Sequence, residues 1–262
     1  MRKDYLVLLS VVLTISVTGH AQTNANPDAD PRRSGFTFMS PATQSMQQDD
    51  MLNPGMLWIK DGEALWQKKT GKSAQSCVAC HGDAATSMRG VATRYPAFDA
   101  TLKRPVNLSQ RINLCRQEHQ QAAPLRAESQ DLLSLEAYVG NQSRGMAVTH
   151  VADVRLEPFR ERGRQQYLQR IGQLNMSCAQ CHDDNAGQRL GSSPIPQAHA
   201  TGYPIYRLEW QGIGSLQRRL RSCMSGVRAE PFAYGAQELV ELELYLASRA
   251  KGMIIETPAV RP

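Results

Sequence analysis

Apolar residues recur at intervals of three and four in two late segments of the chain. They are Leu132, Leu135 and Val139 in the first segment and Leu239, Leu242 and Leu246 in the second. Residues at this spacing lie on one face of an α-helix. The pattern therefore predicts two amphipathic helices, each with one side turned towards a core.

Two earlier stretches, EALWQKKT and RQQYLQRI, mix apolar and polar residues and lie between paired glycines. Gly62 and Gly71 enclose the first stretch, and Gly163 and Gly172 enclose the second. Glycine commonly ends a helix because it accepts a left-handed backbone. We predict a short helix in each stretch, ended by the glycine that follows it.

These elements belong to an internal repeat. The matched strings are CVACH and CAQCH, RINLC and RLRSC, and LEAYVGNQSRGM and LELYLASRAKGM. Each copy runs in the order helix, C-x-x-C-H, loop, arginine-flanked cysteine, helix. We therefore predict a mainly α fold of two tandem cytochrome c-like domains, 53–150 and 151–262, each built around a covalently bound haem.

The first 21 residues are typical of a secretory signal peptide. Arg2 and Lys3 precede a short apolar run, and small residues surround a cleavage site after Ala21. An uncleaved anchor is the alternative. The next segment, 22–52, is polar and rich in Pro, Asp and Asn, which predicts an extended N-terminal arm. No later stretch is apolar over the 18 residues that a membrane span needs.

Composition and charge narrow the possible partners. The chain of 262 residues is 41% apolar and only 6% aromatic, so its cores should be small, and bound haem would enlarge them. The net charge is +6, but the basic residues are scattered. Scattered charge on an exported protein argues against a nucleic-acid groove and suits small anions or an acidic protein partner.

Four of the six cysteines form the two C-x-x-C-H strings. This string is the attachment signature of c-type haem, since two thiols on one turn add to the haem vinyl groups and the next histidine reaches the iron. A zinc site built from two C-x-x-C knuckles is the main competitor, and a pair of disulfides is another. Export and the histidine after both pairs favour haem.

The distal side of each iron has two candidate pairs of ligands. Met146 and Met253 lie at equivalent positions, although packing explains them equally well. Cys115 and Cys223 are also duplicated, and each follows an arginine by four residues. They could form a disulfide, or each thiolate could bind its own haem iron, favoured by the neighbouring positive charge.

With these motifs together, the mature chain resembles the SoxA family, the dihaem cytochrome c subunits of the bacterial sulfur-oxidising system. CVACH, CAQCH, RINLC, RLRSC and the string VRAEPF at 227–232 carry the resemblance. It covers both halves. Some members of the family lack the first haem, but Cys77, Cys80 and His81 are all present here, which implies the two-haem form.

The resemblance implies a periplasmic enzyme, an L-cysteine S-thiosulfotransferase. In that family SoxA pairs with a monohaem cytochrome, SoxX. The complex joins thiosulfate to a cysteine of the carrier protein SoxYZ, and two electrons pass to haem and on to a cytochrome c. The alternatives are a passive dihaem electron carrier with methionine ligands, a thiosulfate dehydrogenase that forms tetrathionate, and a structural zinc module.

The resemblance also implies roles for individual residues. The implied catalytic residue is Cys223, as a persulfide and distal ligand of haem 2, with Arg219 binding substrate. The implied haem ligands are Cys77, Cys80, His81 and Cys115 for haem 1, and Cys178, Cys181, His182 and Cys223 for haem 2. Arg218, Arg221 and Arg228 are further candidates for contact with substrate.

Overall fold

The chain folds mainly into α-helices joined by short strands, as the hydrophobic pattern predicts. The computed structural model describes residues 30–149 and 153–262, and the predicted signal peptide lies outside them. The α-helices are α1 (Pro41–Gln48), α2 (Met56–Gln67), α3 (Cys77–His81), α4 (Ala84–Ser87), α5 (Leu108–His119), α6 (Gln130–Asn141), α7 (Glu157–Leu168), α8 (Cys178–His182), α9 (Leu216–Gly226) and α10 (Gln237–Arg249). The strands are β1 (Ala97–Asp99), β2 (Arg104–Val106), β3 (Arg189–Leu190), β4 (Ser193–Pro194), β5 (Ile205–Arg207), β6 (Gly212–Gly214) and β7 (Ala259–Arg261).

Each half of the structure is built on one pair of packed helices. Helix α2 packs on α6, and α7 packs on α10. A glycine lies at each crossing, because a Cβ at Gly62 would come within 2.2 Å of the Ser134 carbonyl oxygen and one at Gly163 within 2.0 Å of the Glu241 carbonyl oxygen. The predicted apolar faces of α6 and α10 are buried in these contacts.

Helices α2 and α7 are longer than the sequence analysis predicts. Each begins several residues before its first glycine and ends before its second, so Gly62 and Gly163 lie inside a helix. Glycine disfavours a helix interior by up to about 1 kcal/mol relative to alanine. Close packing of the helix backbones offsets that cost here.

The two C-x-x-C-H strings form short helices, α3 and α8. Ser76 and Ser177 cap them, each accepting a hydrogen bond from a backbone N–H of the following turn. An aromatic residue from the preceding long helix fixes each turn. Trp66 donates its indole N–H to the carbonyl oxygen of Gly82 (3.1 Å), and the hydroxyl of Tyr167 donates to Asp183 (2.9 Å).

A strand hairpin precedes the arginine-flanked cysteine in both halves. Strands β1 and β2 pair antiparallel before α5, and β5 and β6 pair antiparallel before α9. In the second half β7 joins β5 in parallel, with Arg207 opposite Arg261. The hairpins place the side chains of β1 and β5 near the helices that carry Cys115 and Cys223.

The N-terminal arm differs from the extended segment that the sequence predicts. Residues 35–38 form a 3₁₀ helix, and α1 follows after Ser40, whose side chain accepts from Thr43 N, with Pro41 at the first helical position. Helix α1 packs on β7. Gln47 is buried there and accepts the backbone N–H of Val260 (3.1 Å), so tertiary contact overrides the polar composition.

Residues 32–262 belong to one compact unit, which contains both repeats. The ends of the repeats pair with each other, since Val148 N donates to Met253 O (2.8 Å) and Ile255 N donates to Met146 O (2.9 Å). The predicted domain limits of 53–150 and 151–262 stay a prediction. None of the helices in the described residues is long and apolar enough to cross a membrane.

A buried carboxyl group joins the two repeats. Glu243 on α10 is 7% exposed and accepts from Asn107 Nδ2 at 3.0 and 3.3 Å. Burial raises the pKa of Glu243 to about 8, and the nearby charge of Glu136 adds to the rise. The folded state therefore holds a proton on Glu243 that the unfolded chain releases at about pH 4.5.

We expect this proton to make stability depend on pH. The contribution of Glu243 is present below about pH 4.5 and is lost as the pH rises towards 8, because the folded state must then ionise a buried group. The loss is expected to be about 1–3 kcal/mol of unfolding free energy. Denaturant unfolding at pH 5, 6.5 and 8 should show a smaller decline for Glu243→Gln, whereas Glu238→Gln, exposed on the same helix, should decline like the wild type. Parallel declines in all three proteins would contradict the assignment.

Candidate functional site

Helix α8 and helix α9 face each other across a cavity in the second repeat. His182 from α8 and Cys223 from α9 both line it. Their side chains are in hydrogen-bonding contact. Two residues 41 positions apart in the sequence, both proposed as ligands of one iron, therefore meet in space.

The ring of His182 is oriented by a backbone group. Its Nδ1 lies 2.7 Å from the carbonyl oxygen of Pro196. A carbonyl oxygen only accepts, so Nδ1 carries the proton and the lone pair of Nε2 remains for another partner. Histidines that bind metals are typically held in this way.

All six cysteines are free thiols in the structure. Cys115 and Cys223 form no disulfide, and neither C-x-x-C pair is closed. Within the described ranges, no cluster of three or more His, Cys, Asp or Glu side chains has the arrangement of a metal site. The two C-x-x-C pairs therefore do not converge into a zinc knuckle, and this alternative is wrong.

The residues of the second repeat fit a c-type haem. Cys178 and Cys181 lie three positions apart on one helical turn, followed directly by the oriented His182. Cys178 packs on a core of Tyr167, Leu242 and Leu246, which supplies an apolar wall. A thioether-linked haem needs this combination of two accessible thiols, a histidine and apolar surroundings.

The first repeat has the same donors in a more open setting. Cys77 and Cys80 lie on α3, and His81 is exposed with its ring 5.7 Å from the ring of Trp66. Cys115 lies close enough to both thiols of the pair to interact with them electrostatically. The donor set again fits a c-type haem with Cys115 on its distal side.

The two distal cysteines differ in acidity. Burial raises the pKa of Cys115, and the charge of Arg111 offsets only part of that rise. Burial also raises the pKa of Cys223, but the hydrogen bond from His182 and the charge of Arg219 outweigh it, so that the pKa falls below its ordinary value. The second repeat thus favours a thiolate at its cysteine.

Of the arginines on α9 and just after it, Arg219 alone lines the cavity with Cys223. Among the described residues it has no hydrogen-bonding or ion-pair partner. Arg218 stacks 4.0 Å over the ring of Trp210 and Arg221 stacks 4.4 Å over Tyr234. Arg228 is exposed after the helix. The structure therefore separates Arg219 from the other three candidates.

Sequence reasoning missed two cationic residues of this cavity. Arg207 from β5 and Arg261 from β7 line it together with Tyr203. No motif marks them, because strand pairing brings them in from distant parts of the chain. The repeat held one signal for Arg207, which lies 16 residues before Cys223 as Asp99 lies 16 before Cys115.

The alternative methionine ligands lie elsewhere. Met253 packs on Val148, Ala250 and Ile255, a cluster that contains no residue of either C-x-x-C-H string. Met146 contributes its backbone carbonyl to the junction of the repeats. Packing explains both methionines, and the passive carrier with methionine ligands is not favoured.

Comparison with known proteins agrees with the repeat. The family model described as SoxA/TsdA, cytochrome c domain, matches residues 61–148 and 162–255, one segment in each half. The L-cysteine S-thiosulfotransferase subunit SoxA of Pseudaminobacter salicylatoxidans is 38% identical, over 94% of this chain and 86% of that protein. The SoxA subunit of Paracoccus pantotrophus is 34% identical, over 87% and 78%.

A solved structure is similar over most of the chain. The crystal structure of SoxXA from P. pantotrophus superposes with a TM-score of 0.85 at 33% identity. The match covers 88% of this chain and 87% of that one. The tandem arrangement of helices and hairpins is therefore shared with that protein.

Proposed function

The chain belongs to the SoxA/TsdA cytochrome c family, and from this membership we propose that it acts as the SoxA-type subunit of an L-cysteine S-thiosulfotransferase. Its substrates are thiosulfate and a cysteine thiol on a carrier protein of the SoxYZ type. One observation carries the proposal beyond family membership. Cys223, His182 and the unpartnered Arg219 line one cavity, as a haem-linked thiol beside an anion site requires.

The overall reaction is an oxidative coupling. The carrier thiol loses a proton, its sulfur bonds to the outer sulfur of thiosulfate, and two electrons leave. Haem, when bound, accepts such electrons one at a time and passes them to another cytochrome. The product is a cysteine S-thiosulfonate with one negative charge less than thiosulfate, which balances the proton and the electrons.

Cys223 carries the sulfur during this reaction. Its sulfur, extended by one atom as a persulfide, bonds to thiosulfate when the two electrons leave. The carrier thiolate then attacks the sulfur next to the sulfonate, and the Cys223 persulfide departs in a thiol–disulfide exchange that moves no further electrons. The lowered pKa of Cys223 favours a good leaving group.

Arg219 holds the anion during both steps. Thiosulfate is a dianion, and a guanidinium without a protein partner can donate two parallel hydrogen bonds to its oxygens. Arg219 lies one helical turn before Cys223 on α9, so both side chains reach the same cavity. Binding through the sulfonate leaves the outer sulfur free to react.

The remaining assignments follow the family. Cys77 and Cys80 attach one haem and Cys178 and Cys181 a second, with His81 and Cys115, and His182 and Cys223, as axial ligands. A monohaem cytochrome of the SoxX type is the partner subunit, since the solved structure similar to this chain is of SoxXA. The chain works in the periplasm after removal of residues 1–21.

The test is an assay with all components present. The purified haem-loaded complex, oxidised cytochrome c, thiosulfate and a SoxYZ-type carrier should give a carrier whose mass increases by one thiosulfonate group, with two cytochromes reduced per carrier. The same mixture without carrier should reduce little cytochrome and form no tetrathionate. Equal reduction without carrier, with tetrathionate as product, would contradict the proposal.

A further inference from the structure

In the first repeat, the arginine before the distal cysteine is neutralised by a carboxylate. Arg111 forms an ion pair with Asp99, the last residue of β1. Asp99 also accepts the backbone N–H groups of Thr101 (2.9 Å) and Leu102 (2.7 Å), which fix its position. These hydrogen bonds and the charge of Arg111 hold the pKa of Asp99 below its usual range, so the pair is ionised and has no net charge.

The second repeat has an arginine at the position of that carboxylate. Arg207 is the last residue of β5, as Asp99 is of β1, and both lie 16 residues before their cysteine. Arg207 and Arg219 line the same cavity with Cys223. Burial lowers the pKa of Arg207 and the charge of Arg219 lowers it further, which agrees with their proximity.

The positive charge of this cavity is only weakly offset by the protein. Arg207 is 8% exposed, donates from Nε to the carbonyl oxygen of Pro262 (2.6 Å) and pairs through Nη2 with Glu209 (2.8 Å). The side chain of Glu209 is 65% exposed, and a carboxylate in water offsets a charge weakly. In the part of the chain that the structure describes, Nη1 of Arg207 has no acceptor.

The third arginine of the cavity is satisfied by the protein. Arg261 pairs with Glu256 at 2.9 Å, and both side chains are largely buried. It also donates to Gln47 at 2.5 Å. Arg261 therefore contributes little net charge, and the cationic wall next to Cys223 consists of Arg207 and Arg219.

We propose that Arg207 is a second substrate-binding residue, which together with Arg219 holds the sulfonate oxygens of thiosulfate beside Cys223. The exchange of Asp99 for Arg207 between the repeats then confines oxyanion binding to the second repeat. The identity of the anion rests on the proposed function. The geometry fits it, because two guanidiniums on different elements can share three oxygens.

The test measures anion binding apart from turnover. Binding of thiosulfate, and of sulfate as an unreactive oxyanion, is measured by calorimetry on the oxidised haem-loaded complex. Each charge-assisted hydrogen bond lost should weaken binding about tenfold or more. We expect at least that rise in Kd for Arg207→Gln and a larger one for Arg207→Asp, which recreates the pairing of the first repeat and should keep the fold.

Two further variants separate charge from packing. Arg207→Lys keeps the charge and should bind within roughly threefold of wild type. Arg218→Gln removes the other guanidinium that stacks on Trp210 and should leave Kd unchanged. In turnover, Arg207→Gln should raise KM more than it lowers kcat, with the haem absorption spectrum unchanged.

The outcomes distinguish this inference from the proposed function. If wild type loads the carrier but Arg207→Gln binds both anions like wild type, the role of Arg207 is wrong and the function stands. If binding depends on Arg207 but no carrier is loaded, the function is wrong and the anion site stands. Equal losses for Arg207→Lys and Arg207→Gln would indicate a packing role and overturn the inference.

Discussion

Replacement of Cys223 by serine is expected to abolish thiosulfate coupling, by a factor of at least about 1,000 in kcat. A serine hydroxyl cannot form the sulfur–sulfur bond that holds thiosulfate, and its pKa is far too high for it to leave as an anion. The haem attachment residues lie on another helix, α8, so both haems should remain bound. Mass spectrometry of the carrier and a haem stain of the denatured chain measure the two results.

Cys115→Ser is the matched control for this substitution. Cys115 occupies the equivalent place in the first repeat, but its arginine is paired with Asp99 and its pKa is raised by burial. We expect this variant to change the absorption of haem 1 and to load the carrier at a rate within roughly tenfold of wild type. Carrier loading by Cys223→Ser at wild-type rate would remove the chemical role of Cys223, whatever the control shows.

The parts of this fold that depend on local patterns were predictable from sequence. Leu132, Leu135 and Val139 are buried on α6 as their spacing requires, and the C-x-x-C-H strings form capped turns. Placing Arg219 one turn before Cys223 needs only helix geometry. These features are encoded within a dozen residues, where the periodicity of a helix determines which side chains are neighbours.

The parts that depend on pairing across the chain were not predictable in this way. Gly62 reads as a helix boundary, yet it lies inside α2, because the reason for glycine is the carbonyl of Ser134 on another helix. The arm at 22–52 reads as extended, yet its residues 41–48 form a helix that β7 stabilises. In both places tertiary packing overrides local preference.

The candidate site shows the same division. Cys223, His182 and Arg219 lie in motifs and were proposed from sequence, whereas Arg207 lies in the string IYRLEW, which has no motif. Only the comparison of the repeats position by position, with Asp99 already known to pair with Arg111, gives Arg207 a meaning. A charge reversal between copies of a duplicated unit is a signal that a search for motifs does not detect.

Removal of the thiols of one C-x-x-C-H string should remove one haem and leave the other. The double variant Cys178→Ala and Cys181→Ala is expected to retain a single covalent haem and to lose carrier loading completely. It should also be less stable, because Cys178 packs on the core of Tyr167, Leu242 and Leu246, where a missing haem leaves apolar surface uncovered. A destabilisation of about 3 kcal/mol or more is expected.

The double variant Cys77→Ala and Cys80→Ala is the control in the other repeat, and it separates the two sites by their chemistry. It should lose the other haem but keep loading the carrier, because the thiol, the oriented histidine and the unpaired guanidinium all belong to the second repeat. Haem content is read from the denatured chain, stability from unfolding in denaturant, and activity from carrier mass. Carrier loading that survives the loss of the second haem, or two haems retained in either variant, would show that the attachment sites are wrongly assigned. Loading lost equally in both variants would mean that electrons leave the second site only through the first, which the neutral Arg111–Asp99 pair gives no reason to expect.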